Sequence, residues 1–114
     1  MSYKEILLKV QRQAQGLSKA APELAQSFQR LMSVASKDGA IPARIKELIA
    51  VSIAICEKCE GCVVFHVQNA IRHGATREEL VEAIGVAVEM GAGPAMVYGA
   101  TALAAFDELK AQAA

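Results

Sequence analysis

Between Pro42 and Ile55 the chain reads PARIKELIAVSIAI, and no other stretch narrows the possible folds so far. Proline suits the first turn of a helix, where its missing N–H would have had no partner. The first turns after Pro42 are amphipathic, but from Leu48 onward apolar residues lie on nearly every side. IAVSIAI alone would pass for a buried strand. The helical pattern nevertheless runs on from Pro42 for longer than most strands last. A helix that is apolar all round belongs in the middle of a bundle or at a subunit interface.

The rest of the chain reads the same way. Tyr3, Ile6, Leu7 and Val10 line one face of a first helix that should fray near Gly16. Pro22 opens a second, with Leu24, Phe28, Leu31 and Met32 at helical spacing, closed by SKDG around Gly39. A fourth helix should begin near the cysteines and stop at Arg72, His73 and Gly74, since basic residues followed by glycine end helices. Thr76 and Glu79 form a capping box for a fifth helix carrying Leu80, Ile84 and Val88. GAGP, Gly91 to Pro94, breaks the chain before a last helix from about Ala95 to Lys110. No segment alternates with period two, so residues 1–114 are expected to form one all-α domain of about six helices.

Twelve basic and twelve acidic residues cancel, with no run of either sign. That balance gives no footprint for nucleic acid or an anionic membrane. The longest apolar run, Leu48 to Cys56, is far short of the roughly 20 residues a bilayer span needs. The N-terminus carries charges inside its apolar portion, unlike a secretory signal. The expectation is a soluble, cytoplasmic protein with reduced thiols, where closely spaced cysteines suggest metal or redox chemistry before structural disulfides.

CEKCEGCVVFH, Cys56 to His66, holds all three cysteines and one of two histidines. Three readings compete. Free cysteine packs as a small hydrophobe, so the three could mark one buried helical stripe. C-x2-C-x2-C-x3-H also supplies four candidate metal ligands and matches a ferredoxin run with His for the last Cys. If the segment were one helix, however, its ends would lie ~15 Å apart, too far to share one ion. In the redox reading Cys59 and Cys62 form a C-x-x-C, and His66, four residues on, shares their helical face. One helical turn brings two cysteines within disulfide range. His66 can then take the Cys62 proton. Lowering a thiol pKa from ~8.5 to ~6.5 raises the thiolate fraction at pH 7 only some 20- to 30-fold. Positioned proton transfer must supply a further ~10²–10⁴-fold, which requires a second group. Glu47, one turn before the wholly apolar part of its helix, is the candidate, provided that helix packs beside the cysteine helix. Its ordinary alternative is a solvated helix residue. Cys56 is expected to be buried, and His73 to be a helix-end residue.

Glu47, eleven intervening residues, then Cys59-x-x-Cys62-x-x-x-His66 resembles the signature of alkylhydroperoxidase D-like proteins in the carboxymuconolactone decarboxylase family. IPARIKELIAV, GATREELVEAI and MGAGPA are similar to that family too, and the likeness spans roughly Pro22 to Phe106. The resemblance implies an all-helical subunit assembling into homo-trimers or homo-hexamers, and a thiol peroxidase or disulfide reductase activity. It implies Cys62 as the attacking thiolate, Cys59 as the resolving thiol, and His66 with Glu47 as the proton relay. The implied partners are a small hydroperoxide and an external dithiol reductant, a dihydrolipoyl or thioredoxin-like protein; no cofactor or metal is required. The founding peroxidases carry a second histidine immediately before the attacking cysteine. Here that place is Gly61, which implies a modest rate. A lactone decarboxylase of the same fold, and a non-catalytic helical or metal-binding module, are the alternatives.

Overall fold

In the computed structural model, which describes residues 1–113 and leaves the last residue of the expected 1–114 domain outside, every regular element is a helix. Helix α1 (Tyr3–Ala20) starts with a capping box: the Glu5 N–H donates to the Ser2 hydroxyl at 3.1 Å, and the Ser2 N–H to Glu5 Oε1 at 3.2 Å. It continues past Gly16, where fraying was expected, and ends as the Ala21 N–H donates to the Leu17 carbonyl. Helix α2 (Pro22–Ser36) has proline in its first turn. Helix α3 (Ala43–Glu57) follows Pro42, and the Asp38 carboxylate accepts from the Ala43 N–H at 2.7 Å. Lys58, in the left-handed conformation, closes α3. Helix α4 (Glu60–Arg72) then runs to the expected stop, with Gly74 at φ 82°.

The last element, α5 (Arg77–Ala113), opens on the expected Thr76–Glu79 capping box. Its 37 residues would span about 55 Å if straight, yet the longest dimension of the molecule is 37 Å. The element is folded back at Ala92, whose φ of 56° and ψ of −138° are not helical. Arg77 near one end donates two hydrogen bonds to Asp107 near the other, at 2.8 and 3.1 Å. Ile84 packs against Gly99 so closely that a β-carbon there would lie 2.7 Å from its Cγ2. Both pairs are nearly symmetric about Ala92. The hydrogen-bonding pattern counts five helices, but in space there are six rods, hinged where GAGP was expected to break the chain. By length and composition α5 is also the one described helix that could cross a bilayer; the fold-back divides it into two shorter limbs.

The core lies among α3, α4 and α5, where Val51, Ile55, Val63, Val64, Val67 and Leu80 are completely buried. Leu7 of α1 joins it. Glu108 holds α1 in place by accepting from the Tyr3 and Lys4 N–H groups at 3.2 and 2.9 Å. Two expectations need correction. Of the two places expected for α3, the middle of the bundle is overturned, because the helix buries one face only and leaves Ile49 and Ile53 exposed. Cys56 is exposed as well, because it lies on that open side of α3; its thiol reaches only the Ala87 carbonyl, at 3.6 Å.

The two glycines of the hairpin give a paired test. Gly85 has open space where a β-carbon would go, so Gly85→Ala should raise stability by roughly 0.5–1 kcal/mol through helix propensity. Gly99→Ala forces a methyl against Ile84 and should lower stability by about 1–3 kcal/mol. Urea unfolding of the two variants measures both signs.

Candidate functional site

Helices α3 and α4 are joined by only Lys58 and Cys59, so they turn back on each other as an αα-hairpin. The left-handed Lys58 makes this tight reversal possible and places Cys59 outside the helix, in extended conformation, as the N-cap of α4. The sequence expectation of one helix carrying Cys59, Cys62 and His66 is corrected here: only Cys62 and His66 are helical. Cys59 nevertheless meets Cys62. The two are disulfide-bonded with Cα atoms 5.2 Å apart, and the Cys62 N–H donates to Cys59 Sγ at 3.2 Å. Cys62 is exposed in the first turn of α4, with its backbone N–H groups and positive dipole end close by.

One turn further along α4, His66 faces α3. Its Nδ1 lies 2.8 Å from Glu47 Oε1. Glu47 is only 3% exposed and is the one buried charged residue among the described residues. A carboxylate offers lone pairs and no proton, so an ionised Glu47 fixes the imidazole proton on Nδ1 and leaves Nε2 as an acceptor. The His66 side chain is 28% exposed, and Phe65 meets its ring edge-on with centroids 5.1 Å apart. The hairpin thus brings Glu47 and His66 into contact and sets Cys62 one turn away on the helix that carries His66. Cys56 is not part of this group. Among the described residues, no cluster of three or more histidine, cysteine or acidic side chains is arranged to hold a metal ion. His73 is exposed at the end of α4.

One contact was not legible in the sequence, although both of its residues were named there. Val10 of α1 packs onto the backbone between the two cysteines, where a β-carbon on Gly61 would lie 2.9 Å from Val10 Cγ2. A histidine at position 61 would collide with that methyl group unless the Val10 side chain or α1 shifted. The signal was split between a valine on the apolar stripe of α1 and a glycine in the first turn of α4, and nothing local connects them.

Comparison with known proteins agrees with this architecture. Residues 22–106 match the Carboxymuconolactone decarboxylase family. An uncharacterised protein from Cupriavidus necator is 46% identical over 105 residues, covering 92% of this chain and 93% of its own length. A protein of the cox locus of Paracoccus denitrificans is 44% identical over 92 residues, covering 81% and 83%. The crystal structure of a Legionella pneumophila carboxymuconolactone decarboxylase family protein superposes with a TM-score of 0.90 at 43% identity, covering 93% of this chain and 95% of that one. A Thermotoga maritima family protein, a candidate for the antioxidative response, shares the fold with a TM-score of 0.82 at 21% identity, covering 93% and 91%.

The contact between Val10 and Gly61 is testable. Gly61→Ala should lower stability by about 1–3 kcal/mol, as an overpacked position does. Adding Val10→Ala should recover part of that loss, and a double-mutant cycle by thermal unfolding would measure the coupling. Simple additivity would contradict the contact.

Proposed function

The chain belongs to the carboxymuconolactone decarboxylase family, and we propose that within it the protein is a thiol-dependent peroxidase or disulfide oxidoreductase. The observation that carries this reading is the 2.8 Å contact between His66 Nδ1 and the buried Glu47, on a hairpin whose turn bears the Cys59–Cys62 pair. The arrangement provides a dithiol that can close, an imidazole one turn from the exposed sulfur, and a carboxylate that sets the imidazole tautomer. The antioxidative role suggested for the Thermotoga maritima relative is compatible with it.

In the reduced protein, the N-terminal turn of α4 favours the thiolate of Cys62. His66, oriented by Glu47, accepts the thiol proton at Nε2. The thiolate attacks the terminal oxygen of a small hydroperoxide, the O–O bond breaks, and the proton goes to the departing alkoxide or hydroxide. The products are a sulfenic acid on Cys62 and an alcohol or water. The Cys59 thiol then attacks the sulfenic sulfur, water leaves, and the disulfide forms. An external dithiol, from a dihydrolipoyl or thioredoxin-like protein, returns both thiols and is itself oxidised. The cycle requires no bound cofactor or metal. A cytoplasmic setting, where such reductants turn over, belongs to the same proposal. Gly61 supplies no second proton-handling group, so the rate should be modest.

A reductant-coupled assay with hydrogen peroxide and a small organic hydroperoxide tests this, run with lipoyl and thioredoxin systems in parallel. Peroxide should remove two titratable thiols, and dithiothreitol should restore them. Cys62→Ser should abolish turnover, and Glu47→Gln should reduce it by about 10²-fold, the low end of general acid–base contributions. A Cys62→Ser variant with the wild-type rate would refute the assignment. Turnover of a muconolactone by a Cys59→Ser, Cys62→Ser double variant would instead favour the family's lactone decarboxylase chemistry, which needs no dithiol.

A further inference from the structure

The two sulfurs of the Cys59–Cys62 bridge differ in their surroundings. Cys59 is the N-cap of α4, the place that serine, threonine, asparagine or aspartate usually fills. Its Sγ accepts from the Cys62 N–H at 3.2 Å, one of the orphan donors of the first turn. Negative charge at a cap is favoured by that N–H and by the positive end of the helix dipole. Cys62 stands three positions further on, inside the helix, and does not occupy the cap. Access differs in the opposite sense: Cys62 is exposed, whereas Cys59 is half-buried. His66, with Nδ1 against Glu47, stands one turn beyond Cys62. The other charged groups do not reverse this asymmetry. Glu57, Lys58 and Glu60 flank Cys59 in the sequence, but all three are exposed and screened by solvent. Helix α1 brings only the uncharged Val10 against Gly61.

We propose that the external dithiol attacks Cys62 Sγ and that Cys59 departs as the thiolate, so that the mixed disulfide of the reductive half-cycle forms on Cys62. This rests on the redox reading of the pair and adds which sulfur the reductant meets. Exchange at a disulfide needs an open approach to the attacked sulfur, and it is faster when the departing thiol is the more acidic. Both requirements select the same direction. At the moment the S–S bond breaks, Cys59 Sγ already accepts from the Cys62 N–H, so charge develops where a donor stands. Attack at Cys59 would meet the less open sulfur and put the charge on Cys62, away from the cap. The first thiol of the reductant gives its proton to His66 Nε2 as it attacks. The bond between Cys59 and Cys62 breaks, and one between Cys62 and the reductant forms. The second reductant thiol then attacks the reductant's own sulfur in that mixed disulfide and closes a ring. Cys62 leaves as a thiolate and takes the proton back from His66, while the proton of the second thiol passes through solvent to Cys59. Two electrons have moved from the reductant to the bridge, and both cysteines end as thiols. Peroxide and reductant thus meet the same exposed sulfur beside the same imidazole.

A monothiol reveals the direction, because it cannot close a ring. The full chain carrying Cys56→Ser, oxidised so that Cys59 and Cys62 are bridged, is exposed briefly to 2-mercaptoethanol and quenched in acid. Fragment mass mapping should place the adduct on Cys62 over Cys59 by about tenfold or more, the combined effect of access and leaving group. An adduct on Cys59, or equal amounts on both, would overturn the proposal. Where no adduct survives the quench, the acidity of Cys59 decides. A Cys56→Ser, Cys62→Ser variant keeps the N–H of position 62, and its thiolate absorbance should titrate at or below about 7.5, as thiols at helix N-termini do. In denaturant the same thiol should return to about 8.5. A native Cys59 that titrates no lower than the denatured one would equally overturn the proposal. Neither readout uses peroxide. A Cys62 adduct in a protein without peroxidase turnover would leave this direction standing and remove the peroxidase reading; turnover with the adduct on Cys59 would do the reverse.

Discussion

The contact between Glu47 and His66 is the point on which the arrangement of the site depends. Moving a carboxylate out of water carries an effective penalty of several kcal/mol even after the surroundings relax. At 3% exposure, Glu47 has lost nearly all its hydration, and the imidazole at 2.8 Å is its compensating partner. Such a pair is a weak source of net stability, since two well-packed apolar side chains would serve a fold as well or better. Its presence is therefore better explained by what it does to the imidazole than by what it adds to the core. It fixes the register of α4 against α3 and presents one ring nitrogen away from the core. The Val51, Val63, Val64 and Val67 packing around the same hairpin supplies the cohesion that the polar pair does not.

The parts of the fold governed by neighbouring residues were legible in the sequence. The Thr76–Glu79 box, the Arg72–His73–Gly74 stop and the proline-marked starts of α2 and α3 all depend on side chains within a few positions of the backbone groups they serve. The resemblance to a family located the Glu–Cys–Cys–His set, but the burial of Glu47 was not legible, because its partner lies nineteen positions away. The place of Cys59 was misread for a local reason. Lys58 is not a residue that signals a left-handed conformation, so the C-x-x-C looked like continuous helix. Cys56 and the apolar stripes of α2 and α3 show a further limit. Helical periodicity states that a face is apolar, but does not state whether that face is covered by the same chain.

The hinge of α5 shows local preference giving way to packing. Ala92 takes a positive φ although glycine stands on both sides of it. Gly91 cannot easily trade places with it. A β-carbon at Gly91 would lie 2.8 Å from that of Ala95 and 3.3 Å from Cys56 Sγ, so this position is reserved for close approach to α3 and to the next turn. The alanine is left to carry a conformation that ordinarily belongs to glycine. The folded hairpin compensates through the Ile84–Gly99 contact and the paired hydrogen bonds of Arg77 with Asp107, the latter exposed and individually weak.

The Cys59–Cys62 pair sits on a backbone that other interactions hold in place. The 5.2 Å between the Cα atoms of Cys59 and Cys62 is set by the turn from Lys58 into α4, and it falls inside the range that accepts a disulfide. The backbone on either side is held by interactions that do not involve sulfur. The Cys59 N–H donates to the Ala54 carbonyl, the Val63 N–H donates to the Cys59 carbonyl, and Val10 rests on Gly61. The same hairpin carries His66, whose Nδ1 lies 2.8 Å from Glu47 Oε1 beside the closed Cys59–Cys62 disulfide.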